Sequence, residues 1–493
     1  MTSTIVFWGV CLVIVLLPLP FGAVDEWAVF GFEAATFVLF VLHLVGVGRA
    51  DESEKRAGAA GRYFFPSWLR LLSVLALGVA VLQLVPLPLS ILKAISPRAA
   101  VVWSGVSPGA EGAVAAGGGW ATISLVPNFT LYELVRYVFY FLFGYLVFKH
   151  VSTRKHVKVF VFLLFAAGCF QSFYGLAEFF GGTQRIFGFR REAYLDSVTG
   201  TFINRNHFAG FLEMIFPISV GYLLARANFF AMKRGGSFRK KVLWFSQERL
   251  QQTLIFGIVP VLVGMGIFFS RSRTGIFVFF ASLFLIFVAL SGAGGRRPGR
   301  AEEGARGAGR RHGRVIRTVM LVVVFAVILI GIKPVIERFS FASLAHEVRP
   351  VYFKNTVEII KDFPIVGTGL GTYFYAYPMY EKKYSGDLLE HAHNDYLELL
   401  AEGGIVLGGL LIVVAFGALG VLFVRWTRRN DHFVRGVALG CLVGIAAILI
   451  HSLTDFNLHI TANAVLFVTL YALAARVVGM EATMNRKNIQ KKG

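Results

Sequence analysis

Charge is scarce in this chain. Only 16% of its 493 residues are Asp, Glu, Lys or Arg, while 56% are apolar and the mean hydropathy is +0.66. That is too little polar surface to cover a water-soluble protein of this length. Acidic residues are the scarcer sign, 28 against 49 Lys and Arg, which leaves a net charge of +21. On a soluble protein such a balance points to nucleic acid, but cytoplasmic loops of membrane proteins collect basic residues for a different reason. Cysteine is almost absent. Cys11, Cys169 and Cys441 all fall inside apolar runs, which argues against a disulfide framework or a cysteine zinc site. No charged segment precedes the first apolar stretch and no small-residue cleavage site follows it, so the expectation is a first helix that stays rather than a signal peptide.

What the chain does have is long apolar runs, among them Val10 to Leu17, Leu254 to Phe269, Gly275 to Leu290 and Val319 to Ile332. A bilayer span needs about 20 such residues. Twelve candidate spans are expected, near 4–22, 27–48, 68–88, 131–149, 157–179, 206–226, 251–269, 275–292, 315–333, 403–424, 434–451 and 461–479. The fold class is therefore an all-α polytopic membrane protein with about twelve transmembrane helices. The sixth span is the least apolar because it holds Glu213 and Pro217.

The connecting segments alternate in character. About two-thirds of the Lys and Arg residues lie in Arg49–Arg70, Lys149–Lys158, Arg226–Arg249, Arg296–Arg317, Arg425–Arg435 and the tail from Arg476. This pattern places both termini and the basic loops in the cytoplasm. Segment 293–314, rich in Gly and Arg, is expected to be a disordered cytoplasmic loop. The longest loop on the opposite face, 334–402, is expected to carry a short helix from Val351 to Lys361, stopped by Asp362-Phe363-Pro364, and a second helix starting near Asn394. A long loop with helices of its own is usually functional. The organisation is thus spans one to nine in 1–333, an outer catalytic loop in 334–402, three further spans in 403–479 and a cytoplasmic tail in 480–493. No internal repeat is visible, and segment 89–130 carries few structural signals.

Three constellations on the outer side carry chemistry. The first is Glu390-His391-Ala392-His393-Asn394-Asp395-Tyr396, followed by Glu402-Gly403-Gly404. Asn394 suits an N-cap and a glycine at 403 or 404 a C-cap, which puts both histidines on the turn before a helix, where imidazole serves as a general base. Two imidazoles beside carboxylates are also donors that zinc accepts. No further His or Cys is clearly placed to complete such a site, so no metal is expected. The second constellation is a set of arginines, Arg190, Arg191, Arg205, Arg271, Arg273 and Arg349, on a face where basic residues are normally depleted. Guanidinium groups hold phosphate through paired, charge-assisted hydrogen bonds. The third is His451 to His459, in which Asp455 is positioned to pair with a loop arginine, to orient a catalytic histidine, or simply to cap the next helix. Glu213, inside a span, is the candidate for a supporting role. Gly367-Thr368-Gly369-Leu370-Gly371 lacks the strand–turn–helix setting of a nucleotide loop and reads as a flexible turn.

At these residues the chain resembles the O-antigen ligase and O-antigen polymerase superfamily. The matching pieces are Gly200-Thr-Phe-Ile-Asn204-Arg-Asn206-His, Ser272-Arg273-Thr, Arg349 opening a helix that ends at Asp362-Phe-Pro364, Gly367-Thr-Gly-Leu-Gly371, His391-Ala-His393-Asn394-Asp-Tyr-Leu-Glu398, and Glu402-Gly-Gly404-Ile. The resemblance implies about twelve helices and one large periplasmic loop in the bacterial inner membrane. It implies transfer of a glycan from an undecaprenyl-pyrophosphate carrier to an acceptor hydroxyl, on lipid A–core for a ligase and on another lipid-linked repeat for a polymerase, with no cofactor and no nucleic acid. Carried over, His393 is the base and His391 its support. Arg273 and Arg349 hold the pyrophosphate, helped by Arg271, Arg190 or Arg191, while Asn394, Asp395, Glu213 and Asp455 support the site. A transporter or flippase also fits twelve spans, but transporters keep their polar residues near the midplane in two similar halves. A scaffold subunit of a polysaccharide export complex is the third reading.

Overall fold

The computed structural model describes residues 2–48, 65–106, 119–226, 248–294, 348–381 and 388–480. The expected loop from 295 to 314, the ninth span at 315–333, the start of the long loop and the tail beyond 480 lie outside these residues. The fold is all-α. The helices are α1 (Thr2–Leu16), α2 (Glu26–Gly48), α3 (Ser67–Leu82), α4 (Leu89–Ile95), α5 (Pro97–Val106), α6 (Pro127–His150), α7 (Arg154–Gly181), α8 (Arg205–Arg226), α9 (Glu248–Phe269), α10 (Arg273–Gly294), α11 (Arg349–Asp362), α12 (Tyr373–Ala376), α13 (Asp395–Thr427), α14 (His432–His451) and α15 (Thr461–Gly479). Among the described residues the only strands are two two-residue pairs, at 87–88 with 120–121 and at 185–186 with 189–190. Among the described residues eight helices are long and apolar enough to cross a membrane, and α1, α3 and the Phe256–Phe269 part of α9 are shorter apolar helices. Each expected span within the described residues is a helix.

The sixth span, expected to be the least apolar because of Glu213 and Pro217, has a higher mean hydropathy (1.7) than the Pro127–His150 and Thr461–Gly479 helices (1.4 and 1.6), and it is the most enclosed of the eight. As α8 it lies against α14 with backbones nearly touching. A Cβ at Gly221 would meet the Gly436 carbonyl at 2.2 Å, one at Gly440 would meet the Ile218 Cα at 2.5 Å, and one at Gly444 would meet the Met214 carbonyl at 2.7 Å. Small residues at a four-residue spacing permit this approach, which lets dispersion contacts hold helices together where lipid gives no hydrophobic drive. Glu213 is tolerated here because His451, at the end of α14, meets its carboxylate at 3.0 Å with both side chains buried.

The two ends of the bundle differ. At one end Arg154 pairs with Asp431, Arg476 donates to the Ser152 carbonyl at 3.1 Å, and Arg429 reaches the Met480 carbonyl. At the other end the polar segments of all three constellations meet. Segment 89–106, which showed few signals in sequence, builds a second apolar core there. Leu89, Leu92 and Ala100 pack with Ile359, Phe363, Tyr373 and Tyr377. A loop helix pair thus roofs α11 and α12.

The long loop is bolted to α13 by main chain. Thr368 N donates to Ala401 O, Gly369 N to Glu402 O, Ile405 N to Pro364 O and Val406 N to Ile365 O, at 2.8–3.1 Å. Gly404 makes this possible by leaving helical geometry (φ 60°, ψ −172°) within α13. The helix therefore starts inside the expected loop, is interrupted where a glycine C-cap was expected, and continues as the span. The boundary anticipated at 402/403 falls inside α13. Gly367 to Gly371, read from sequence as a flexible turn, is the locked partner of this break. Gln83 completes the lock. Its side-chain nitrogen donates to Val366 O and Glu402 O at 2.9 Å, and its oxygen accepts from Leu370 N at 3.1 Å. Gln83→Leu strands two buried backbone groups, Val366 O and Leu370 N, each worth about 1–3 kcal/mol when unpaired, and leaves Glu402 O with the Gly369 amide alone. It is expected to lower the melting temperature in detergent by several degrees, with the backbone amides at 366–370 gaining hydrogen exchange.

Candidate active site

The turn before α13 is set by Asn394, whose side chain accepts from Tyr396 N and Leu397 N at 3.0 Å and donates to Leu453 O at 2.9 Å. One residue earlier His393 adopts a left-handed backbone (φ 51°). That conformation is costly for a side chain with a Cβ and persists where its surroundings enforce it. It separates the two histidines. His393 turns to Asp455, while His391 turns to Glu398.

Asp455 is fully buried and is the hub of the site. Its Oδ1 accepts from His393 Nδ1 at 3.2 Å and from Phe456 N at 3.0 Å. Its Oδ2 accepts from Arg349 Nη2 at 3.2 Å and from Asn206 Nδ2 at 2.5 Å. His207 faces it at 3.8 Å. Burial alone would oppose ionisation, but His207 and His393 beside it and the charge of Arg349 overcome that and hold the carboxyl well below the usual range. A carboxyl that ionises below its unfolded value of about 3.9 stabilises the fold above that pH and loses the contribution as pH falls toward the folded value. Wild-type stability is therefore expected to drop below about pH 4, and Asp455→Asn to flatten that drop, in thermal unfolding followed against pH.

Arg349 is delivered by α11, which is fixed from behind. Asn355 donates to the Tyr377 hydroxyl at 2.9 Å, Thr356 and Tyr373 share a 2.7 Å hydrogen bond, and Tyr373 N donates to Glu402 at 2.9 Å. Arg273 opens α10 beside the hub. The next residue, Thr274, meets Thr454 at 2.8 Å, and a Cβ at Gly275 would touch the Glu213 carboxylate at 3.1 Å. Arg271, at φ 54°, pairs with Asp196 at 3.0 Å, and Arg205 reaches the same carboxylate at 3.5 Å. Arg191 is buried and holds its own loop, donating to Ser197 O at 3.1 Å and to the Thr199 hydroxyl. Arg190 lies exposed on the 185–190 hairpin. The arginines read as one set thus divide. Arg349 sits at the hub, Arg273 precedes Thr274 at the turn that meets Thr454, Arg271 and Arg205 clamp Asp196, and Arg191 is a loop brace.

A second cluster lies on the other side of Phe456, which stacks on His391 at 4.4 Å and meets His393 edge-on at 4.8 Å. His391 Nδ1 bonds Glu398 at 2.7 Å, His459 Nε2 faces the same carboxylate at 3.3 Å, and His459 Nδ1 bonds Asp395 at 3.0 Å. Burial would disfavour the charged imidazole of His459, but Glu398 and Asp395 outweigh it and push its pKa up to about 10. Asn206, His207 and His459 were not singled out as site residues from sequence. The first two stand in the Gly200–His207 motif and the last in the His451–His459 segment. Their separation of about 250 residues from Asp455, or 60 from Asp395, hides the pairing until the chain folds.

An all-α bundle with helices long and apolar enough to cross a membrane, and with a histidine, a buried carboxylate and an arginine gathered at one end, defines a polytopic membrane protein with a polar site at one end of its bundle. Residues 258–413 match the family model described as O-antigen ligase. That stretch runs from α9 through the Arg273 turn, Arg349 and the His391–Glu398 turn into α13, and it bears out the resemblance seen in the motifs. The match supports glycan transfer of the O-antigen ligase or polymerase type, with lipid and glycan substrates. No curated protein matches the chain.

Proposed function

We propose that the protein transfers a glycan from an undecaprenyl-pyrophosphate carrier to a sugar hydroxyl at the periplasmic face of the bacterial inner membrane, as an O-antigen ligase. The observation that carries this reading is Asp455 holding His393 and Arg349 at the same 3.2 Å distance from its two oxygens. With Nδ1 of His393 committed to Asp455, Nε2 is the nitrogen that takes the proton of the acceptor hydroxyl. The acceptor oxygen bonds to the anomeric carbon as the carbon–oxygen bond to the pyrophosphate breaks. The negative charge that develops on the departing pyrophosphate is met by Arg349 and Arg273, with Arg271 nearer the headgroups; preorganised cations at such a point supply a large part of the rate. The donor is already activated, so no nucleotide is needed. His391, Asn394, Asp395 and Glu213 support the turn and the helix ends that bear these groups. The clustering of Arg154, Arg429 and Arg476 at the opposite end supports a cytoplasmic location for that end.

One-step displacement inverts the anomeric centre. The product of transfer from a defined lipid-linked donor, reconstituted with purified protein, is expected to show the inverted anomer by NMR, and a retained anomer rejects direct attack. In the same assay Arg349→Ala is expected to reduce transfer about 100-fold or more, the loss seen when one transition-state donor is removed. A deletion strain decides the acceptor. Free lipid-linked polymer with bare core means a ligase, and core capped by a single repeat means a polymerase.

A further inference from the structure

We propose that His391, Glu398 and His459 form a binding site for a divalent transition cation, zinc by preference. The site uses none of the donor atoms of the His393–Asp455 pair and does not rest on the transferase reading. His391 Nδ1, a Glu398 carboxylate oxygen and His459 Nε2 lie within 4.8 Å of one another. The two nitrogens are 2.7 Å and 3.3 Å from Glu398 Oε1. Ligands of a tetrahedral zinc at about 2.0–2.1 Å stand about 3.4 Å apart, so the His459–Glu398 pair already has the spacing of two zinc ligands and the His391–Glu398 pair would open by about 0.7 Å, a side-chain rotation, to admit the ion. Two imidazoles and one carboxylate are a donor set that zinc takes with a fourth position left open.

The surroundings are those of a ligand set rather than of a chance contact. Asp395 Oδ1 accepts from His459 Nδ1 at 3.0 Å, which turns Nε2 toward Glu398. Ala392 N donates to Glu398 Oε2 at 2.7 Å, which commits that oxygen and leaves Oε1 for the ion. Outer partners of this kind fix the tautomer and ring orientation of a metal-bound histidine. Phe456 backs the His391 ring. The two imidazoles remain 27% and 22% exposed while Glu398 is 1% exposed, so an ion has an entry path to a buried anionic floor. Asp395 and Glu398 are two buried carboxylates in one cluster, and buried charge is stable only when compensated. A divalent ion held by Glu398 and the two imidazoles would compensate both. The ion would tie the turn before α13 to the segment after α14, on either side of the turn that carries His393.

The test is calorimetric titration of the full-length protein in detergent, stripped with chelator, using ZnCl2, with MgCl2 as the control ion. One equivalent of zinc is expected to bind and to raise the melting temperature, and magnesium to do neither. His391→Ala and His459→Ala are each expected to weaken zinc at least about tenfold, and Asp395→Asn by a factor in the range of about 10–100 through loss of the outer partner. His393→Ala is expected to bind as the wild type does. His391→Asn, at a partly exposed position, serves if the alanine variant does not fold, as judged by its apo melting curve. Absence of zinc uptake by the wild type overturns the proposal, as does equal affinity in the His391 and His459 variants. None of these readouts uses glycan transfer, so the two readings fail separately.

Discussion

His393→Ala is expected to reduce glycan transfer about 10²–10⁴-fold, the range that a positioned general base contributes, while the protein still folds and inserts. The ring is partly exposed and Asp455 retains Asn206, Arg349 and the Phe456 amide, so the substitution removes a proton acceptor without removing a core side chain. Asp455→Asn separates positioning from acceptance. An amide of the same shape keeps the turn in place but no longer favours the Nδ1–H tautomer or the imidazolium that forms as the hydroxyl is deprotonated. In a serine-protease triad the equivalent change costs about 10⁴-fold. Here the loss is expected to approach that of His393→Ala, and the double variant to be little worse than either alone, because residues acting as one unit are not additive. Transfer from a lipid-linked donor in proteoliposomes, with insertion checked by detergent-solubilised size exclusion, provides the measurement. Unchanged transfer in His393→Ala rejects the site, and fully additive losses reject the dyad.

The second large effect is on stability. Gly404→Ala is expected to destabilise the protein by about 3 kcal/mol or more, beyond the ordinary range for a point substitution. Two causes add. The residue sits at φ 60°, and a Cβ there would lie 2.3 Å from the Ile365 carbonyl oxygen and 2.5 Å from Val366 N. Neither neighbour is the end of a flexible side chain. Both belong to the main chain that bonds Ile405 and Val406, so relief of the clash unlocks the 363–369 segment from α13. Gly367→Ala is expected to behave alike, since its Cβ would meet the Glu402 carbonyl at 2.2 Å. Gly409→Ala is the control. It lies five residues further along the same helix, its Cβ would find only Ile405 at 4.0 Å, and helix propensity favours alanine there by about 0.5–1 kcal/mol. Thermal unfolding of the three variants in one detergent should order them accordingly. A Gly404→Ala protein that melts with the wild type would mean that this main-chain lock contributes nothing.

The helices were legible because membrane spans are written in a single long apolar signal, and loop charge adds direction to it. The turns at Asn394 and Asp362 were legible because capping and stopping are local. Asp455 was harder. Its neighbours Leu453 to His459 look like any polar turn ahead of a helix, and only the packing of α8, α11 and α13 against that turn makes its two oxygens a junction. The difference between Arg191 and Arg349 was hidden for the same reason, since both read as outer arginines and one is spent on its own loop. The main-chain lock was misread on both sides, Gly367 to Gly371 as a flexible turn and Gly404 as a helix C-cap, because a positive φ serves a loose turn, a cap and a tight crossing equally well. Segment 89–106 gave little periodic signal, being two helices too short to show one, and its role became visible only as a partner surface for α11 and α12.

The carboxylate of Asp455 has one oxygen committed to an imidazole and the other to a guanidinium. Such an arrangement works as a balance rather than as two separate props. Anything anionic that draws Arg349 toward itself frees negative charge to act on His393, and so makes that ring a keener acceptor at the moment the arginine is engaged. A base wired in this way would be weaker in an empty protein than in one with an anionic donor seated against Arg349, so that proton removal from the acceptor would follow donor binding.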